Sequence, residues 1–315
     1  MATLTAPTRP SGRRNGQLPL LGVALPGRRT YRVWQRHRDV FFQLWRAELV
    51  PPLVEPIVMF LALGLGLGTY VELTGDVDYI QFLAPGVLVI FPMFAAVFES
   101  LWGAYFRLDR QGTYAAILAT PARPEEIVAG DILWAASRML LNSVLILIVM
   151  AVLTGPWDLI SSPLVIFTLP VNLLAGILFA SLGLSYTSRA QSISQLTYFF
   201  SLFIMPMFWF SGAFFPLDDL PRWAEVLAWL TPIFHTVELD RALITGNVVW
   251  SDLLHLAVIL VLILPAFCFA LWSLRKSLEQ APARTVSCSY SKWLVRQPAG
   301  SRSDPMQRVA LREPD

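Results

Sequence analysis

Tyr198 to Arg241 reads YFFSLFIMPMFWFSGAFFPLDDLPRWAEVLAWLTPIFHTVELDR, and the fold turns on how that stretch is read. It opens as an apolar run of spanning length and breaks at Phe215-Pro216. A short amphipathic piece follows (Trp223, Val226, Leu227, Trp229, Leu230), which stops at Thr231-Pro232. Tryptophan and tyrosine rings settle where hydrocarbon meets water, so a span followed at once by an aromatic-rich amphipathic turn builds a mouth. The stretch implies a pathway through a membrane.

The rest of the chain agrees. Hydrophobic residues make up 55% of the 315 positions and charged ones 15%, with a mean hydropathy of +0.56, which is the composition of a membrane protein. A spanning helix needs about 20 largely apolar residues. Six segments come close, at 54–71, 82–106, 132–153, 164–186, 193–215 and 253–274, and an even number puts both termini on one side. Charge placement says which side. Of the 24 Lys and Arg residues, all but Arg222 and Arg241 fall in the termini, in the connection after the second span, or at ends facing the same way, whereas the opposite connections carry acids such as Asp76, Asp158, Asp218 and Asp252. Basic residues are retained on the cytoplasmic side, so both termini are expected there.

Three parts follow. Residues 1–30, rich in Pro, Gly and Arg, are expected to be a disordered extension, and residues 277–315 a disordered basic tail. Between them, 31–276 is the membrane domain. The run Ser11-Gly-Arg-Arg-Asn lacks the long apolar stretch and cleavage site of an export signal. From Tyr31 to Leu49, apolar positions (Val33, Trp34, Phe41, Leu44, Trp45) alternate with Arg32, Arg36, Arg38 and Arg46, an amphipathic helix suited to the membrane surface and expected to end at Pro51-Pro52.

Motifs that would carry chemistry are scarce. A P-loop needs a lysine after a glycine-rich turn, and neither Lys276 nor Lys292 stands in one, so no cofactor is expected on this chain. Gly64-Leu-Gly66-Leu-Gly68 lies within an apolar span and suits close helix packing, not dinucleotide binding. His235 and Asp240 have the His-x4-Asp spacing of glycerolipid acyltransferases, a weak signal that leaves a membrane-bound acyltransferase as a rival reading. His37, His235 and His255 give no metal-ligand spacing, and Cys268 and Cys288 no disulfide framework.

Polar groups inside spans are costly and face protein or water. Glu99 is a candidate functional or packing site; Arg138 has Glu99, Glu55 or Asp131 as candidate partners and is expected to snorkel to the cytoplasmic interface. Aromatics form a stripe on the second span (Phe91, Phe94, Phe98, Trp102, Tyr105) and crowd the fifth (Tyr198, Phe199, Phe203, Trp209, Phe210). Packing accounts for most of them, and a ring-lined passage is the functional alternative on the fifth. The connection 107–131 is too long for a plain turn. Gly112 and Pro121 bracket a helix-forming segment, Thr113–Ala119, which reads as a docking element for a soluble partner.

This order of elements resembles the ABC-2 type permeases. The resemblance covers about residues 31–276 and rests on Gln111-Gly-Thr-Tyr-Ala-Ala-Ile-Leu-Ala-Thr-Pro121, Ser211-Gly-Ala-Phe-Phe-Pro216 and Thr231-Pro-Ile-Phe-His235. Through Phe82-Leu-Ala-Pro-Gly86, Phe98-Glu-Ser100 and Leu133-Trp-Ala-Ala136 it is similar to the family's nodulation-type branch, whose cargo is a lipo-chitooligosaccharide. The resemblance implies an all-α membrane protein with six transmembrane helices, an N-terminal interfacial helix, a cytoplasmic coupling helix, and short re-entrant helices before the last span. It implies a homodimer in a bacterial inner membrane, driven by two copies of a separate ATPase that holds ATP and Mg, with no nucleic-acid partner. Gln111, Gly112, Thr113, Tyr114, Ile117 and Leu118 become the ATPase-coupling residues. Tyr70, Tyr198, Phe203 and Trp209 become candidates for contact with cargo, and Pro216, Trp223, Trp229 and His235 for the outer mouth. The cargo is an amphipathic, carbohydrate-containing molecule, with a drug or another lipid as the alternative.

Overall fold

The computed structural model describes residues 17–18, 23–24, 27–67, 79–154, 162–216 and 221–295. Two residue pairs, β1 (Gln17–Leu18) and β2 (Val23–Ala24), form a short antiparallel ladder. Among the described residues, every regular element after them is helical. The helices are α1 (Arg29–Met59), α2 (Tyr79–Phe98), α3 (Thr113–Leu118), α4 (Pro124–Thr154), α5 (Thr168–Thr187), α6 (Ile193–Phe199), α7 (Met205–Trp209), α8 (Arg222–Leu230), α9 (Pro232–Thr245) and α10 (Asp252–Val295). Met1–Arg275 makes one compact unit and Lys276–Asp315 a second. α10 therefore runs on past residue 276, where the sequence places the start of a polar tail.

Among the described residues, five helices are long and apolar enough to cross a membrane: Arg29–Gly64, Tyr79–Arg110, Pro124–Leu153, Pro163–Thr187 and Asp252–Leu278. The expected fifth span is shorter. Its helix covers Ile193–Trp209 and ends six residues before Phe215, because Ser211 Oγ turns back onto the Phe208 carbonyl and Gly212 adopts a φ of +72°. Another difference lies at Pro51-Pro52, which does not end the interface helix. α1 passes through both prolines and continues as a π-helical stretch, Phe60–Leu67, so the surface helix and the first span are one element. Two adjacent prolines remove at most two ladder hydrogen bonds, a loss that neighbouring packing can outweigh.

Contacts fix which ends lie together. Arg29 at the start of α1 donates to the Pro121 carbonyl beyond α3, and Arg275 on α10 bridges Glu125 at the start of α4 at 3.2 Å. At the other end, Tyr79 at the start of α2 donates to the Phe214 carbonyl at 3.1 Å. α3 and α8 thus mark opposite ends of the bundle.

Small residues set the spacing. A Cβ on Gly130 would lie 2.6 Å from Val33 Cβ, one on Gly176 would lie 2.9 Å from Ala136 Cα, and one on Gly183 would clash with Ser100, so α1 sits tightly on α4, α4 on α5, and α5 on the segment after α2. The expected packing role of Gly64-Leu-Gly66-Leu-Gly68 holds at Gly64, which faces Ile80, but a Cβ on Gly66 would meet nothing within 4 Å; Gly68 is outside the described residues. On α1 the buried face is Val33, His37 and Phe41, one residue per turn against α4, while Phe42, Leu44 and Trp45 stay exposed.

Candidate functional site

At the α3 end, four elements converge on one carboxylate. Asp131, in the second turn of α4 and fully buried, accepts from the Tyr114 hydroxyl of α3, lies 2.6 Å from His37 Nε2 of α1, and lies 3.5 Å from Arg107 Nη2. Arg107 stands on π-helical turns that extend α2 and bridges Glu99 Oε1 through Nη1 at 2.7 Å. Gly103 makes that bridge possible, since a Cβ there would come within 2.9 Å of Glu99 Oε1 and 3.2 Å of Arg107 Nη1. Both carboxylates meet the Arg107 guanidinium away from water, and such pairing is how buried charges offset their desolvation. Burial and the adjoining Asp131 carboxylate push the Tyr114 phenol well above its ordinary pKa, so it stays a hydrogen-bond donor.

α3 itself starts at Gly112, whose φ of +62° turns the chain out of the preceding helix. Thr113 and Tyr114 point inward, whereas Gln111, Gly112, Ala115, Ala116 and Ala119 are exposed and Ile117 and Leu118 half-buried. Among the residues expected to meet a partner, Tyr114 and Thr113 are therefore turned toward the protein and tether α3 instead of facing outward. Arg138 also departs from expectation. It does not snorkel, nor does it take Glu99, Glu55 or Asp131: it is buried, its guanidinium sits over the Phe41 ring at 5.1 Å, and Nη1 reaches Glu48 Oε2 on α1 at 2.7 Å. A helix rotation too small to read from spacing selects this partner.

The aromatics sort into two faces. Phe94, Phe98 and Trp102 pack against Phe200, and Phe94 against Phe208, so the stripe on the second span is interhelical packing. On the opposite side of the α6–α7 run, Tyr198, Leu202, Phe203 and Trp209 are exposed, Tyr198 at 69%. Tyr70 lies outside the described residues.

At the α8 end the segment after Trp209 is clamped in place. A Cβ on Gly86 would fall 2.3 Å from Ala213 Cβ, Tyr79 holds the Phe214 carbonyl, and Arg241 Nη2 donates to the Gly212 carbonyl at 2.8 Å while stacking on Phe82 at 4.3 Å. Pro216 is half-buried at the end of this segment. α8 buries only its small face, Ala224 and Ala228, and exposes Trp223, Val226, Leu227, Trp229 and Leu230, the last at 82%. A helix that turns its large apolar residues outward at the end of a membrane bundle is built to lie in the interface.

His235 does not pair with Asp240. It is buried on α9, with Nε2 2.9 Å from the Trp229 carbonyl and Nδ1 2.7 Å from His255 Nδ1 of α10. Asp240 is fully buried and accepts from Asn172 Nδ2 of α5 at 2.8 Å. The two side chains serve different neighbours, and the acyltransferase dyad is not assembled. A carbonyl partner requires a proton on Nε2, which leaves Nδ1 of His235 to accept from His255. Among the described residues no group of three or more metal-ligating side chains forms.

A bundle of apolar helices thus carries a short helix tethered at one end and, at the other, an amphipathic helix with its large apolar residues exposed. Residues 29–245 match the ABC-2 type transporter family, and the chain belongs to it. It is 34% identical to Nodulation protein J of Rhizobium leguminosarum bv. trifolii over 246 residues, covering 78% of this chain and 92% of that protein. It is 30% identical to Nodulation protein J of Sinorhizobium fredii over 78% of this chain and 92% of the relative, and 26% identical to the inner membrane transport permease YadH of Escherichia coli over 77% and 92%. Chains of this family are multi-pass transmembrane components and not themselves catalytic.

Sequence reasoning missed Asp131 as the hub, and with it His37 and Arg107. The available signal was an acid at the mouth of an apolar run with a lone histidine and an arginine on the two preceding elements.

Proposed function

We propose that this chain is the permease subunit of an ATP-driven exporter that moves an amphipathic, carbohydrate-containing molecule out of the cytoplasm. The observation that carries the reading is α3: its inward residues are bonded to the bundle through Asp131, and its outward residues are small, with Ala115, Ala116 and Ala119 exposed. A partner pressing on that face would act on α1, α2 and α4 together. The partner is an ABC ATPase holding ATP and Mg, two copies serving a homodimer of this chain, with Gln111, Gly112, Ile117 and Leu118 nearest the contact. The charge partition supports cytoplasmic termini, and YadH, named as an inner membrane permease, supports that location. The exposed Tyr198, Phe203 and Trp209 face supplies rings on which sugar faces or acyl chains slide. The kinship to Nodulation protein J favours a lipo-oligosaccharide over a drug as cargo.

The test is co-purification of this chain with a co-expressed ABC ATPase subunit from the same genome. Ala116→Arg places a long cation on the exposed face of α3; association is expected to be lost while the purified permease keeps its melting temperature. Retained association, or labelling of Ala116→Cys from outside intact cells, would refute the docking role.

A further inference from the structure

The closest approach between α9 and α5 in polar chemistry is the Asp240–Asn172 contact, and half of it is missing. Asn172 Nδ2 donates to Asp240 Oδ2 at 2.8 Å. The other two acceptors of the pair, Asn172 Oδ1 and Asp240 Oδ1, are both buried and both without a hydrogen-bond donor. Neither residue has measurable exposure. A buried carboxylate with one neutral hydrogen bond and no cation is among the costliest arrangements a protein can hold. Both orphaned oxygens are acceptors, and neither can satisfy the other without a hydrogen between them.

We infer that a single proton on Asp240 Oδ1 is donated to Asn172 Oδ1, so that acid and amide close a two-hydrogen-bond ring and Asp240 is an uncharged carboxylic acid in the folded protein. One proton then satisfies both orphaned oxygens, and the pair carries no charge at a depth where charge is expensive. The proton is taken from water as α9 docks, and no other group is needed.

Among the described residues, the cations of the surrounding elements are engaged elsewhere or exposed. On α9, Arg241 is engaged by Glu238 and the Gly212 carbonyl, and His235 by Trp229 and His255. On α10, Asp252 accepts from the Val249 amide, and the residue against this part of α9 is Ile259. α2 carries Tyr79, which serves the Phe214 carbonyl; the charged residues of α8, Arg222 and Glu225, are exposed; the turn Pro163–Phe167 has no titratable group. Burial pushes the Asp240 carboxyl well above its ordinary pKa, in agreement with the geometry. Such a shift stabilises the fold at low pH, where folded and unfolded forms both hold the proton, and the contribution is lost as pH rises through the folded value.

The experiment compares full-length wild type with Asp240→Asn in lipid nanodiscs. An amide at 240 keeps a neutral donor for Asn172 Oδ1, so D240N is expected to accumulate and assemble like wild type. Between about pH 5 and about pH 9 the wild-type melting temperature is expected to fall by roughly 4 °C relative to D240N. The wild-type minus D240N infrared difference spectrum at neutral pH is expected to show a protonated carboxylic C=O band that shifts in D2O. As a second variant, Asn172→Leu should melt below D240N at every pH, because it leaves the acid without a partner. The inference is overturned by carboxylate bands in the difference spectrum, by a D240N chain that fails to accumulate, by parallel pH profiles, or by a melting temperature raised by sodium over choline, which would make the site a cation site.

Discussion

Tyr114 and Asp131, 17 residues apart, join α3 to α4, the third of the long apolar helices, through one buried hydrogen bond. The tyrosine is fully enclosed, so the bond is shielded from competing water. It sits where three further side chains meet, and its removal therefore discriminates between a tether and a surface ornament. Tyr114→Phe keeps the ring and deletes the donor, leaving Asp131 Oδ2 with only the 3.5 Å contact to Arg107, at a cost of about 1–3 kcal/mol. We expect a lower melting temperature by differential scanning fluorimetry, and weaker coupling of ATP hydrolysis to transport in the reconstituted complex.

Asp131→Ala is the harsher change. It strips the partner from Arg107 and His37 together, and breaking a buried pair costs about 3–5 kcal/mol. The expected outcome is a chain that inserts but does not accumulate in cells grown warm, checked by quantitative blotting of membranes. Accumulation equal to wild type would show that Glu99 alone suffices for Arg107.

Gly86→Val tests the clamp at the α8 end. The site has no room, since even a Cβ meets Ala213, and forcing atoms into a packed contact costs about 1–3 kcal/mol. Because the displaced segment carries the Gly212 carbonyl that Arg241 holds, the loss is expected to be non-additive with Arg241→Lys in a double-mutant cycle of melting temperatures.

His235 sets an acid limit on α9. Burial lowers its pKa, with the neighbouring His255 acting the same way against a raising contribution from the Trp229 carbonyl. The unfolded chain then binds the proton more readily, so the stabilisation present above about pH 6.5 is lost as pH falls below that value. Followed down to about pH 5, the melting temperature of wild type should drop relative to that of a His235→Gln, His255→Gln double variant, in which the other titrating groups are unchanged.

On the open face of the α6–α7 run, Tyr198→Ala and Phe203→Ala are expected to leave stability within about 0.5 kcal/mol, as exposed substitutions do, while reducing transport of a lipo-oligosaccharide in vesicles. Unchanged transport would remove these rings from the cargo path.

How far the sequence speaks can be judged at particular residues. The stop at Thr231-Pro232, the bracket of α3 by Gly112 and Pro121, and the proline-acid start of α4 were all legible, because caps and breakers act within a few residues of themselves. The amphipathic character of α8 was legible for the same reason. Partner choice was not. Arg138 finds Glu48 90 positions away, and His37 finds Asp131 at a separation of 94, so each pairing depends on the rotation of two helices that periodicity leaves free by a residue or more. At Pro51-Pro52 the residues point to a stop, since each proline removes a ladder hydrogen bond, yet α1 continues through both, which local breaker rules do not foresee.

α3 has six residues, and a helix in water needs about 12–15 before it holds its own shape. Its outline is thus borrowed: the exposed alanine face persists only while a carboxylate inside keeps its grip, and loosening that grip would erase the surface itself.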